Sequence, residues 1–227
     1  MGWLLREPAL LRYRVWKQQR ALGQATAFFD VHDEANGGLA LDVAFAAAPG
    51  GFDAAGAASA MRGHPEAQQA LLEAYRARDD ARGMLEVSKV LLELNPSSPR
   101  YRHDWALLGL LAGPADARTE AGEILYRLYR EDAANPIFAT SYAFSLTREG
   151  KASEALAVLA RLSPADRDFP PRSPYLAYIY GANGLGADVG RMEWIGRDGA
   201  YLREERALFL QARSALERAH GSPAKAP

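Results

Sequence analysis

At 227 residues the chain has the length of one large domain or two small ones, enough to bury a core without covalent staples. It contains no cysteine, which excludes thiol catalysis, thiolate metal ligation and disulfides, and leaves both a reducing and an oxidising compartment open, cytoplasm or periplasm. With 27 Lys and Arg against 28 Asp and Glu, a net charge of −1, there is no basic footprint for nucleic acid, and 48% hydrophobic residues make the chain too apolar to be disordered.

The first stretch, MGWLLREPALLRYRVWKQQR, has its apolar run interrupted at Arg6 and Glu7. It lacks the roughly 7–15 apolar residues of a signal-peptide core, and nothing approaches the roughly 18 that a transmembrane segment needs. Pro8 suits a first helical turn, and Arg12, Arg14, Lys17 and Arg20 make the helix basic and amphipathic. It reads as a packing helix with a solvated basic face in preference to a membrane-surface helix. Residues 1–34 are therefore expected as a basic helix and a connector. At the connector, DVHDE gathers Asp30, His32, Asp33 and Glu34, all metal-ligating types. Consecutive ligands rarely converge on one ion without a distant partner, so a capped helix boundary is the better account and no metal is expected. His64, His103 and His220 are scattered.

From residue 35 the chain reads as helix pairs, in units of about 35–65, 66–98, 102–135, 136–168 and 170–197. The first is Gly- and Ala-rich. In the second, Leu71, Leu72 and Tyr75 belong to the first helix, Asp79 and Asp80 to the turn, and Met84, Val87, Leu91 and Leu94 to the second helix, before Pro96. A constant step then appears. TEAGEILYRL (119–128) and SEALAVLARL (153–162) match with Glu120 on Glu154, Ala121 on Ala155 and Leu125 on Leu159, each pair 34 residues apart. Leu108, Tyr142 and Leu176 follow the same step, as do Ala112, Leu146 and Tyr180, and Asp116, Gly150 and Gly184. Within 136–168 the spacing predicts a stripe of Phe138, Tyr142 and Leu146, a break at Gly150, a cap from Ser153, and a second stripe of Ala155, Leu156, Leu159 and Leu162 up to Pro164. Alanine at 121 and 155 suits a close helix crossing. A last helix, 201–219, is expected to cap the array, with Leu202, Leu208, Leu210 and Leu216 inward and Arg203, Glu204, Glu205, Arg213 and Glu217 in water, and 220–227 to be a disordered tail.

The period and the residues together resemble a tetratricopeptide repeat. WALLG, Trp105 to Gly109, matches the Trp-x-x-Leu-Gly start of that motif, Tyr75 its Tyr, Ala121 and Ala155 its Ala, and Pro96 its closing Pro, while Leu125 and Leu159 stand where Phe is usual. The unit from Pro136 has Ala139 in place of the Trp and Ala143 in place of the Gly. The resemblance covers about residues 66–195. It implies an all-α, right-handed solenoid of antiparallel helix pairs, with a concave groove lined by the first helix of each pair. On that resemblance the groove row is Leu110, Phe144 and Tyr178, with Glu73 one unit earlier, accompanied by Gln69, Arg76, His103, Thr140, Ser141 and Thr147. An apolar, aromatic row suits an amphipathic helix or a peptide with bulky side chains, although Phe144 and Tyr178 can equally pack between units.

No phosphate-binding loop, nucleophile elbow or His-Glu-x-x-His is present, and GLGADVG (184–190) has Val189 at the third glycine's place and no preceding strand, so it reads as a turn. The expectation is a non-catalytic scaffold without cofactors, binding a protein or peptide partner. The alternative is a structural spacer or homo-oligomerisation segment of a larger envelope or membrane-linked assembly, and an enzyme using DVHDE or a site without a known motif is a third class.

Overall fold

The computed structural model describes residues 6–30, 34–47, 54–62 and 64–221. Among them every regular element is helical, and the chain packs as two compact units, Met1–Ser97 and Ser98–Pro227. The repeat domain expected over 35–219 is thus divided between two packing units. Asp30 and Glu34 lie in helices, but residues 31–33 of DVHDE and residues 222–227 of the tail fall outside the described residues.

In the first unit, α1 (Arg6–Asp30) packs along α2 (Glu34–Ala47) through small side chains. Ala21, Ala25, Ala40 and Ala44 are buried there, which lets the two backbones approach. Lys17 and Arg20 are exposed, as the basic face requires. α3 (Ala54–Ala60) rests on α5 (Ala81–Leu94), and Gln68 of α4 (Pro65–Ala77) donates to the Ala58 carbonyl at 2.7 Å. The α4–α5 pair closes around Tyr75. Its ring lies where a side chain on Gly83 would be, 2.2 Å from an added Cβ, and meets Phe45 edge-on at 4.8 Å. Leu94, expected on the inner stripe, is exposed at the end of α5.

In the second unit, α6 (Pro99–Ala112) pairs with α7 (Ala115–Glu131), α8 (Pro136–Arg148) with α9 (Ala152–Leu159), and α11 (Ser173–Ala182) with α12 (Gly186–Gly196). A single turn, α10 (Pro164–Arg167), precedes α11, and α13 (Arg203–Gly221) packs along α11. Ser98, Asn135 and Ser163 cap α6, α8 and α10, each accepting from amides two or three residues on, with proline as the first helical residue. The small-residue crossing is present: an added Cβ on Gly109 would lie 3.3 Å from the Cβ of Ala121.

The 34-residue step has a backbone counterpart. α8 ends with the Lys151 amide donating to Leu146 at 2.9 Å, and α11 with the Leu185 amide donating to Tyr180 at 3.0 Å; Gly150 (φ +82°) and Gly184 (φ +73°) supply the left-handed residue between. α4 closes the same way in the first unit, Asp80 onto Tyr75 at 3.0 Å, with Asp79 at φ +58°. The α6–α7 turn departs from this pattern. Pro114 cannot continue the helix, Gly113 is extended (φ −74°, ψ 159°), and α7 starts at once, so Asp116 falls inside its first turn instead of in the connection. Ser153 does not cap α9: the N-cap position is Lys151, and Ser153 is the second residue of the helix. Leu162 lies beyond the end of α9 yet is buried.

Candidate functional site

The expected groove residues divide by unit. On α4, Gln69, Glu73 and Arg76 are exposed, and Gln69 donates to Glu73 at 3.3 Å. In the second unit Leu110, Phe144, His103, Thr140, Ser141 and Thr147 are all buried, and Tyr178 is half-buried. Phe144 is fully enclosed, with Tyr175 and Tyr178 edge-on at 5.1 and 5.6 Å. The Thr147 hydroxyl donates to the Ala143 carbonyl at 2.9 Å, the usual way for a helical hydroxyl to satisfy itself away from water. The row therefore serves packing between helix pairs.

α13 adds to this closure. It runs along α11, touches α6 as well, and borders a cleft of about 540 Å³ in which Tyr178 and Ala182 face Leu210, Gln211, Ser214, Ala215 and Arg218. Its inward stripe differs from the expected one. Leu202, Glu205, Leu208 and Ala212 are buried, whereas Leu210 is 64% exposed. Glu205 goes inward because both oxygens are engaged: Tyr175 donates its hydroxyl to one at 2.5 Å, and the Leu202 amide, at the start of α13, donates to the other at 2.8 Å. At Gly181 an added Cβ would be 2.6 Å from the Cα of Ala212, so α11 and α13 cross there with nearly touching backbones.

One buried polar chain has the residue types of a nucleophile, a base and an orienting acid. His103 Nε2 and Ser141 Oγ are 2.8 Å apart, and His103 Nδ1 lies 3.2 Å from Asp104. Ser141 sits in the middle of α8 with 5% of its surface exposed, and the amides around it serve the helix, so no oxyanion donors face its hydroxyl. The chain pins α6 to α8.

A cleft of about 650 Å³, within the range of ligand sites, opens between α7 and α8. One wall is Arg118, Gly122 and Tyr126, spaced four apart on one face of α7; the other includes Tyr142 and Ser145 of α8 and Glu149 just after it, with Leu110 and Leu146 also lining it. Tyr142 stacks on Tyr129 at 5.1 Å and meets Tyr126 at 5.4 Å. Burial, reinforced by Tyr126 and by the carboxylates of Glu149 and Glu154, pushes the Tyr142 hydroxyl above its ordinary pKa, so it stays protonated and able to donate. Gly122 keeps the cleft open: an added Cβ would come within 3.3 Å of a Glu149 oxygen. Of the expected groove residues only Leu110 lines this cleft. The sequence signal for it was a glycine inside a helical pattern, followed four residues later by a tyrosine off the apolar stripe of Ala121, Leu125 and Leu128.

Among the described residues no three His, Asp or Glu side chains converge as metal ligands do, and no helix is long and apolar enough to cross a membrane. Compared with protein-family models, with curated proteins and with solved structures, the chain matches none.

Proposed function

We propose that the chain is a non-catalytic interaction module made of tetratricopeptide-like helix pairs, those of the second unit stacked with the right-handed sense of such repeats, and that it binds a peptide segment of another protein. The recurring turn closure at Tyr75, Leu146 and Tyr180 supports the repeat. In this reading the face carrying Phe144 and Tyr178 is spent on internal packing, and α13 supplies from within the chain the amphipathic helix that such a face suits. The partner then binds at the α7–α8 cleft. The observation that carries the reading is that cleft: two tyrosines, one of them 43% exposed, beside a helix-interior glycine that costs about 1 kcal/mol relative to alanine and leaves space.

An unbiased peptide-display selection on the full chain tests this, with Tyr126→Ala as counter-screen. Selected peptides are expected to bind the parent at least tenfold more tightly than the variant. A chain that enriches no peptide sequence is not a peptide-binding module.

A further inference from the structure

The charges around the α7–α8 cleft are unevenly neutralised. Its lining includes Arg118, Arg148 and Lys151 against Glu123 and Glu149. Both carboxylates are already engaged, Glu149 by Lys151 at 2.7 Å and Glu123 by Arg127 at 3.2 Å. Arg118 donates its Nε to the Gly113 carbonyl at 2.9 Å and has no carboxylate partner among the described residues. Arg148 has neither a hydrogen bond nor an ion pair among them. Two guanidinium groups are thus left for an outside anion, and their planar donor sets match carboxylates.

Their position along the cleft gives the ligand a direction. α7 and α8 are joined by the short 132–135 link and pack on each other, so the start of α7 lies beside the end of α8. Arg118, near the start of α7, and Arg148, the last residue of α8, therefore share one end. Tyr126 and Tyr142 lie towards the other. Eight residues of helix separate Arg118 from Tyr126, about 12 Å at 1.5 Å per residue. An extended peptide covers that in about three to four residues.

We propose that the cleft binds an extended acidic peptide segment, with carboxylates between Arg118 and Arg148 and an apolar side chain three or four residues away lying on Tyr126 and Tyr142. This rests on the interaction-module reading and adds the chemistry of the partner. The Arg118–Arg148 end sets charge preference, and the tyrosine end sets preference for bulk.

The test is fluorescence anisotropy with the full chain and two pools of labelled, acetylated and amidated heptapeptides. One carries Glu-Glu three residues from a Leu or Phe; the other has Lys-Lys in place of Glu-Glu. The acidic pool should bind at least tenfold more tightly, weaken as salt is raised, and lose to the basic pool when Arg118→Glu and Arg148→Glu are combined. Tyr126→Ala should weaken the acidic pool without altering the charge preference, and circular dichroism confirms that each variant keeps its helices. Equal binding of the two pools, or acidic-pool binding untouched by the double reversal, overturns the proposal. Display-selected peptides that bind independently of Arg118 and Arg148 would leave the module reading standing and remove this assignment alone; no peptide binding of any kind removes both.

Discussion

Gly150 and Gly184 hold the same left-handed position 34 residues apart, and the cost of any side chain there is conformational, because nothing lies within 4 Å of an added Cβ. Gly150→Ala and Gly184→Ala are each expected to destabilise by about 1–2 kcal/mol in urea titrations, with helical content unchanged. Gly181 is constrained differently: its φ is helical, but a Cβ would meet the Ala212 backbone at 2.6 Å, so Gly181→Ala should cost about 1–3 kcal/mol through overpacking. Gly122→Ala has the opposite sign. The atom it would approach is the end of the flexible Glu149 side chain, which can move, so the helix gains up to about 1 kcal/mol while the cleft narrows. Glu205→Ala strands the Tyr175 hydroxyl and the Leu202 amide, with an expected loss of about 1–3 kcal/mol. Turn glycines were legible in the sequence because their role is local. Glu205 was not, since its partner Tyr175 stands thirty residues away and only packing brings them together.

Helix positions were readable for the same reason. Periodicity, proline starts and Ser or Asn caps are local signals, and they place α5, α7 to α9, α11 and α12 within the expected units, while α4 starts at Pro65 and α6 at Pro99, just ahead of theirs. Failures came where a helix has several neighbours. Along α13 an apolar stripe through Leu208 and Leu210 looked sufficient, yet the buried face is Leu202, Glu205, Leu208 and Ala212, because close approach at Gly181 asks for alanine and Tyr175 asks for an acceptor. Repeat spacing identifies the equivalent positions of the groove row, but whether they face solvent depends on the neighbouring helices; of the two readings open for Phe144, packing between units is the one that fits its enclosure by Tyr175 and Tyr178. Removing α13 by ending the chain at residue 200 should uncover Tyr175, Tyr178 and Gly181, raise binding of a hydrophobic dye and lower the melting temperature of the second unit. An unchanged melt would mean that α13 is not part of that fold.

For the whole molecule, the division at Ser97 and Ser98 was hidden because helix pairs with similar turns occur on both sides of it. A fragment of residues 98–227 is expected to melt cooperatively with its helices intact, measured by circular dichroism. The functional account rests on which face receives a partner, and amide hydrogen exchange on the full chain with a display-selected peptide decides this most directly. Protection gained in residues 118–126 and 142–151, with α13 unchanged, is the predicted result. Protection centred on α11 with loss of protection in α13 would contradict it, placing the partner on the face that α13 now covers.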